Sequence, residues 1–252
     1  MKLTHRKAKN AFTLVETVIA MGIITIMLTG FLAAFAPAVK GIKNSIGAKE
    51  ANRLATTLEQ ELASLRPNET SQYDNAFEKA YEWIQDSHNS GDSILIYQYK
   101  GDTNGSANSD GSLPAYTGND GIPGRDYIIQ SVARKQTDTL VSSELQPGVV
   151  QGRVFVARLT QMIYDQSNGG LIVSSNPTQI VDPYTGSAAS DAASYPEAVI
   201  ALQMEVFILP NSLYAYVRNF EIADVITNNR TGNTYPRATG PTIFTRNMAV
   251  RR

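Results

Sequence analysis

From Ala11 to Val39 the chain reads AFTLVETVIAMGIITIMLTGFLAAFAPAV, and Glu16 is its single charge. A run of this kind demands lipid or apolar neighbours. The 25 residues from Phe12 to Ala36 make a helix of about 38 Å, against a hydrocarbon core of roughly 30 Å. A secretory signal has an apolar stretch of only about 7–15 residues, so the segment reads as a transmembrane helix. The residues before it include Lys2, Arg6, Lys7 and Lys9 and no acid, while Lys40 and Lys43 stand just beyond it. That asymmetry places the N-terminus in the cytoplasm and the bulk of the chain outside.

Glu16 is the anomaly in this run. A carboxylate inside a spanning helix costs on the order of 2.5–3.5 kcal/mol at the centre and less near an interface. Two readings stand side by side: an acid one turn inside the membrane that still reaches water, or an acid kept for a function.

The residues around it bear on that choice. Ala11-Phe12-Thr13-Leu14-Val15-Glu16 resembles the prepilin processing motif of type IV pilins and pseudopilins. In that family a small residue, usually Gly, precedes the cut, Phe follows it, and Glu is the fifth residue of the mature chain. Ala11 stands where Gly is usual, a departure that keeps a small side chain. The resemblance covers roughly Lys9 to Val39 and implies several things. A prepilin peptidase cuts between Ala11 and Phe12 and methylates the Phe12 amine. Glu16 then neutralises the Phe12 ammonium of a neighbouring subunit during assembly, and so selects register, because an unmatched buried charge is expensive. The implied partners are the peptidase, other pilin or pseudopilin subunits and the inner membrane, with no cofactor and no small-molecule substrate. The implied role is structural, a minor pilin or pseudopilin, and not enzymatic. The mature portion of 241 residues is large for a major subunit, and a retained Glu16 argues against the tip-most subunit type.

The fold expected is α+β, a long N-terminal helix, membrane-spanning in its first half, packed on a C-terminal antiparallel sheet. Three segments follow: a leader over 1–11, a transmembrane and filament-core helix over 12–39, and an exported domain over 40–252. Pro37 interrupts the apolar run and tends to kink a helix that is expected to extend as a whole from Phe12 to Arg66. Helical signals resume from Lys40 to Arg66, where Ile42, Ile46, Leu54, Leu58, Leu62 and Leu65 recur at three- and four-residue steps. A second helix is expected over Ser71–Ser87, capped by Thr70 or Ser71. Strands are expected over Ser93–Tyr99, Asp126–Lys135, Arg153–Tyr164, Leu171–Ser175, Ala198–Leu209, Ala215–Ile226 and Pro241–Val250. Loops rich in Gly, Asn, Asp, Ser and Pro join them over Gly101–Gly124, Asn176–Ser194 and Thr227–Gly240.

Little other chemistry is visible. The whole chain carries a net charge of −1; removing the four cations of the leader leaves −5 on the remainder, which gives no basic face for nucleic acid. The chain has no cysteine, which excludes disulfides, thiolate metal sites and a cysteine nucleophile. Asp102-x-Asn104-x-Ser106 has the opening spacing of a calcium loop, but Ala107 and Leu113 stand where that motif needs Gly and Glu. Some pseudopilins bind calcium in a C-terminal loop, so a cation site stays open beside the reading of a solvated connection. His88 closes the second helix and reads as a cap beside the helix C-terminus. Arg251 and Arg252 read as a solvated end. The rival from another class is a single-span anchored protein whose outer domain binds a ligand or acts as an enzyme; an adhesive or DNA-uptake pilin is the rival within the filament class.

Overall fold

A computed structural model describes residues 13–89, 91–222 and 242–252. In chain order the elements are α1 (Leu14–Leu62), α2 (Ala76–Asp86), β1 (Ile94–Asp102), β2 (Tyr127–Lys135), α3 (Val141–Glu144), β3 (Val150–Asp165), β4 (Gly170–Val173), β5 (Val199–Ile208), α4 (Tyr214–Val217) and β6 (Phe244–Arg251). The chain divides into two compact units, Met1–Ile46 and Gly47–Arg252.

Among its described residues the first unit contributes the first part of α1. It holds the membrane-length stretch Leu14–Val39, with a mean hydropathy of 2.4 and none of it buried. Helical structure continues through Pro37. The expected single long helix therefore holds across the proline, which removes one backbone donor from it.

The second unit is an antiparallel sheet in the order β2-β1-β3-β5-β6, with β4 folded back on the far end of β3. The long strand β3 lies at its centre. Its first part pairs with β1 and β5, and its last four residues pair with β4. Side chains alternate across the sheet, as the period of a strand requires. Ile94, Ile96, Phe155, Ala157, Leu159, Ile200, Leu202, Met204 and Val206 face a core that includes Ala51, Leu54, Ala55, Leu58 and Leu62 of α1. The i, i+3, i+4 spacing of those helix residues makes one stripe, and Phe77, Ala80, Tyr81 and Ile84 of α2 add a second. The sheet is covered on its other face too. There Leu95, Tyr97, Tyr99, Val154, Val156 and Phe207 meet Val141 and Leu145 of the α3 region and Tyr216, Val217 and Phe220 of the α4 region.

Several expectations change. The long helix closes at Leu62, short of Arg66, and its apolar stripe divides: Leu54, Leu58 and Leu62 are buried, whereas Ile42 and Ile46 are 61% and 55% exposed. The second helix begins at Ala76. Its cap is Asn75, whose Oδ1 accepts the Glu78 N–H at 2.9 Å, while Glu78 accepts the Asp74 N–H at 2.8 Å. This reciprocal pair satisfies two end donors that Thr70 or Ser71 would have left open. The expected strand Ala215–Ile226 begins instead as a helical turn, because Tyr216, Val217 and Phe220 all pack on the sheet from that conformation; residues 223–226 lie outside the described residues, as do the loop Thr227–Gly240 and Pro241. The loop over 176–194 is no mere connection, since Ile180, Ala189 and Ala192 enter the core. Arg252 is not a free end: its guanidinium donates to the carbonyl oxygens of Ala192 and Tyr195 at 2.5 and 3.1 Å and sits 4.8 Å from the Phe77 ring centre.

Candidate processing and assembly site

Ala11 and Phe12, the expected cleavage pair, lie outside the described residues. The structure places Thr13 and Glu16 at the start of α1. Thr13 is the residue before the first helical position, and its N–H and Oγ1 both donate to Glu16 Oε2 at 2.9 Å. In return the Glu16 N–H points at Thr13 Oγ1, 3.3 Å away. This is a capping box, in which two backbone donors without helical partners are satisfied reciprocally. It also sets a carboxylate against the positive end of a helix dipole.

The box supplies a local reason for Glu16 within one chain, and it leaves capacity unused. Oε2 takes both bonds from Thr13, and the carboxylate is exposed. An ionised carboxylate offers about four lone-pair sites, so Glu16 can hold the helix start and still accept from a further donor. Around it Leu14, Val15, Val18 and Ile19 are all more than half exposed. A charge pair formed here is shielded from water only when lipid or other helices surround it.

The remaining candidates are taken up by the fold. His88 Nε2 lies 2.7 Å from the Leu159 carbonyl oxygen, so that nitrogen carries the hydrogen, with Thr160 Oγ1 3.2 Å away. Burial lowers its pKa. The capping position belongs to Ser87, and His88 works as a strap between α2 and β3. In the 101–124 loop, Asp102 Oδ1 accepts the Asn104 N–H at 2.8 Å. Asp110 turns inward, where Arg66 and Arg134 reach Oδ2 at 2.9 and 2.7 Å. Among the described residues no group of three or more His, Cys, Asp or Glu side chains could hold a metal ion.

Asp110 belongs to a buried ionic chain with no local signature in the sequence. Lys79 joins Glu61 and Glu69, Arg66 joins Glu61 and Asp110, and Arg134 joins Asp110, Asp138 and Glu144. Tyr97 donates to Glu144 from the neighbouring strand. Lys79, Arg134 and Glu144 are wholly buried. A buried charge is tolerated only when paired in this way. The chain fastens the end of α1 to α2, β2 and α3 and presents no open nucleophile or base.

Residues 6–32 match the family model described as the prokaryotic N-terminal methylation motif. No curated protein and no solved structure matches the chain.

Proposed function

We infer that this chain, whose N-terminus carries the prepilin-type motif of type IV pilin-like proteins, is a minor pilin or pseudopilin assembled into a filament. The observation that carries the reading is the continuity of the motif with an unburied apolar helix: residues 6–32 match it, and they run into the membrane-length stretch Leu14–Val39. A membrane helix alone fits any anchored protein. A membrane helix that opens with the methylation motif and an exposed Glu16 fits a subunit made to be cut, drawn from the bilayer and packed.

In this reading a prepilin peptidase in the inner membrane cleaves between Ala11 and Phe12 and methylates the new amine of Phe12. Before assembly Glu16 is shared with Thr13. On assembly its free lone pairs accept the Phe12 ammonium of an adjacent subunit. The Gly47–Arg252 unit is displayed outside the membrane, and its part is structural.

Two measurements test it. Mass spectrometry of chain produced together with a prepilin peptidase is expected to find a mature N-terminus at N-methylated Phe12; an intact leader would remove the basis of the proposal. Glu16→Gln is expected to be cut normally and lost from sheared filaments by roughly an order of magnitude or more, since one unmatched buried charge costs several kcal/mol. A plain anchored receptor predicts instead that Ala11 stays joined to Phe12 and that Glu16→Gln changes nothing.

A further inference from the structure

The side chain of Lys100, near the end of β1, carries an unmatched charge. Its ammonium lies 4.9 Å from the centre of the Tyr127 ring, and among the described residues no carboxylate pairs with it. Lys79 and Lys135, by contrast, each hold two carboxylates. Lys100 is half-buried, so water screens it only in part, and a cation in that state draws an anion.

The surroundings form a cleft of about 160 Å³ between the loop at 116–119 and the turn at 146–149. Its walls are tied together through the backbone. The Tyr116 N–H donates to the Lys100 carbonyl oxygen at 2.8 Å, the Lys100 N–H to that of Val149 at 3.0 Å, and the Val149 N–H to that of Gln146 at 3.1 Å. The cleft is therefore preformed, and a ligand orders little by entering it. Tyr116 lines it and packs on Tyr127, with ring centres 5.3 Å apart. Gly118 and Gly121 hold that ring closely, since a Cβ on either would collide with the Tyr116 hydroxyl. Thr117 and Asn119 stand exposed on the rim, and among the described residues their side chains make no hydrogen bond.

These groups select a ligand by chemistry. An ammonium on a flexible stem takes a carboxylate as a point charge. A tyrosine ring takes an apolar ring face. A hydroxyl and a carboxamide on the rim take alcohols. The volume equals about five water molecules at roughly 30 Å³ each, room for one sugar ring and too little for a nucleotide. The net charge of −5 outside the leader also disfavours a polyanion. We propose that the cleft binds a single acidic sugar unit, a hexuronate, with its carboxylate on Lys100 and its ring against Tyr116. This adds recognition to a domain otherwise read as structural, and it holds whether or not the leader is cut.

Isothermal titration of the full chain tests it, in an amine-oxide detergent that carries no sugar. Sodium glucuronate is the probe, and glucose, acetate and phosphate are the comparisons. The expected result is saturable binding of glucuronate, roughly tenfold or more tighter than any comparison. Lys100→Gln is expected to weaken it by roughly tenfold or more, the scale of one lost hydrogen bond to a charged group. Lys49→Gln, exposed on α1, is expected to bind as the unaltered chain does. Asn119→Ala, exposed in its loop, is expected to weaken binding by roughly threefold or more and reads the site even if Lys100→Gln lowers the Tm. No saturable binding of glucuronate, equal binding of glucose, acetate or phosphate, an Asn119→Ala chain that binds as well as before, or a Lys100→Gln chain of unchanged Tm that does so would each overturn the proposal.

Discussion

Asp110 receives Ser112 and two arginines at a site that solvent barely reaches. Burial by itself would raise its pKa, but the Ser112 and Arg134 hydrogen bonds outweigh it and hold the carboxyl at about 2, below the ordinary 3.8. Above pH 3.8 the group is ionised in both folded and unfolded chain and its stabilisation is fully present. As pH falls from about 4 towards 2, the unfolded chain takes the proton first, and about 2 kcal/mol is lost. Urea unfolding of the detergent-solubilised chain across that interval is expected to show the decline, and Asp110→Asn is expected to flatten it. The same variant leaves Arg66 and Arg134 short of a partner, at a cost of about 3–5 kcal/mol at neutral pH. None of this was legible in the sequence. Asp110 stands 44 residues from Arg66 and 24 from Arg134, and its neighbours Asn108, Gly111 and Ser112 read as ordinary loop. Glu16 was the opposite case, conspicuous because nothing else charged surrounds it.

At the scale of elements, periodicity located α1, α2 and six strands to within a few residues, because alternation and the three-four repeat reflect faces that must be buried. It misjudged the stretch after Ala215, where apolar residues three and four apart suit a helical turn as well as a strand, and only packing against the sheet decides. It also joined Ile42 and Ile46 to the stripe of Leu54, Leu58 and Leu62, since spacing shows that a face is apolar and not what covers it. Leu58, fully buried between α1 and the sheet, is expected to lose about 2–5 kcal/mol on truncation to Ala, read as a lowered urea midpoint. The start of β3 supplies a sharper case. Gly152 has φ +71°, and a Cβ there would stand 2.7 Å from Glu50 Oε1 on α1. Gly152→Ala is expected to cost about 1–3 kcal/mol through the left-handed backbone; adding Glu50→Ala would relieve the crowding and leave that backbone cost.

For the whole molecule, the apolar start and the α+β body were both legible, because a membrane-length run and a change from helical to strand periodicity are properties of long windows. The two-sided cover of the sheet was not, since α3 and α4 are single turns whose value lies in what they touch. Arg252 belongs to this scale, for it joins the last residue to the helical layer. Its guanidinium bonds two backbone carbonyls and stacks on Phe77, so Arg252→Ala is expected to cost about 1–2 kcal/mol, measurable as a fall in Tm.

The position of β6 bears on how the protein is made. Residues 51–84, which form the helical layer, leave the ribosome long before β6, which completes the sheet beside β5, and before Arg252 can reach Phe77. Synthesis from the N-terminus therefore delivers the greasy side of both helices well ahead of its final cover. A chain cut before Phe244 would leave β5 as a raw edge, its row of backbone donors and acceptors open to any passing strand.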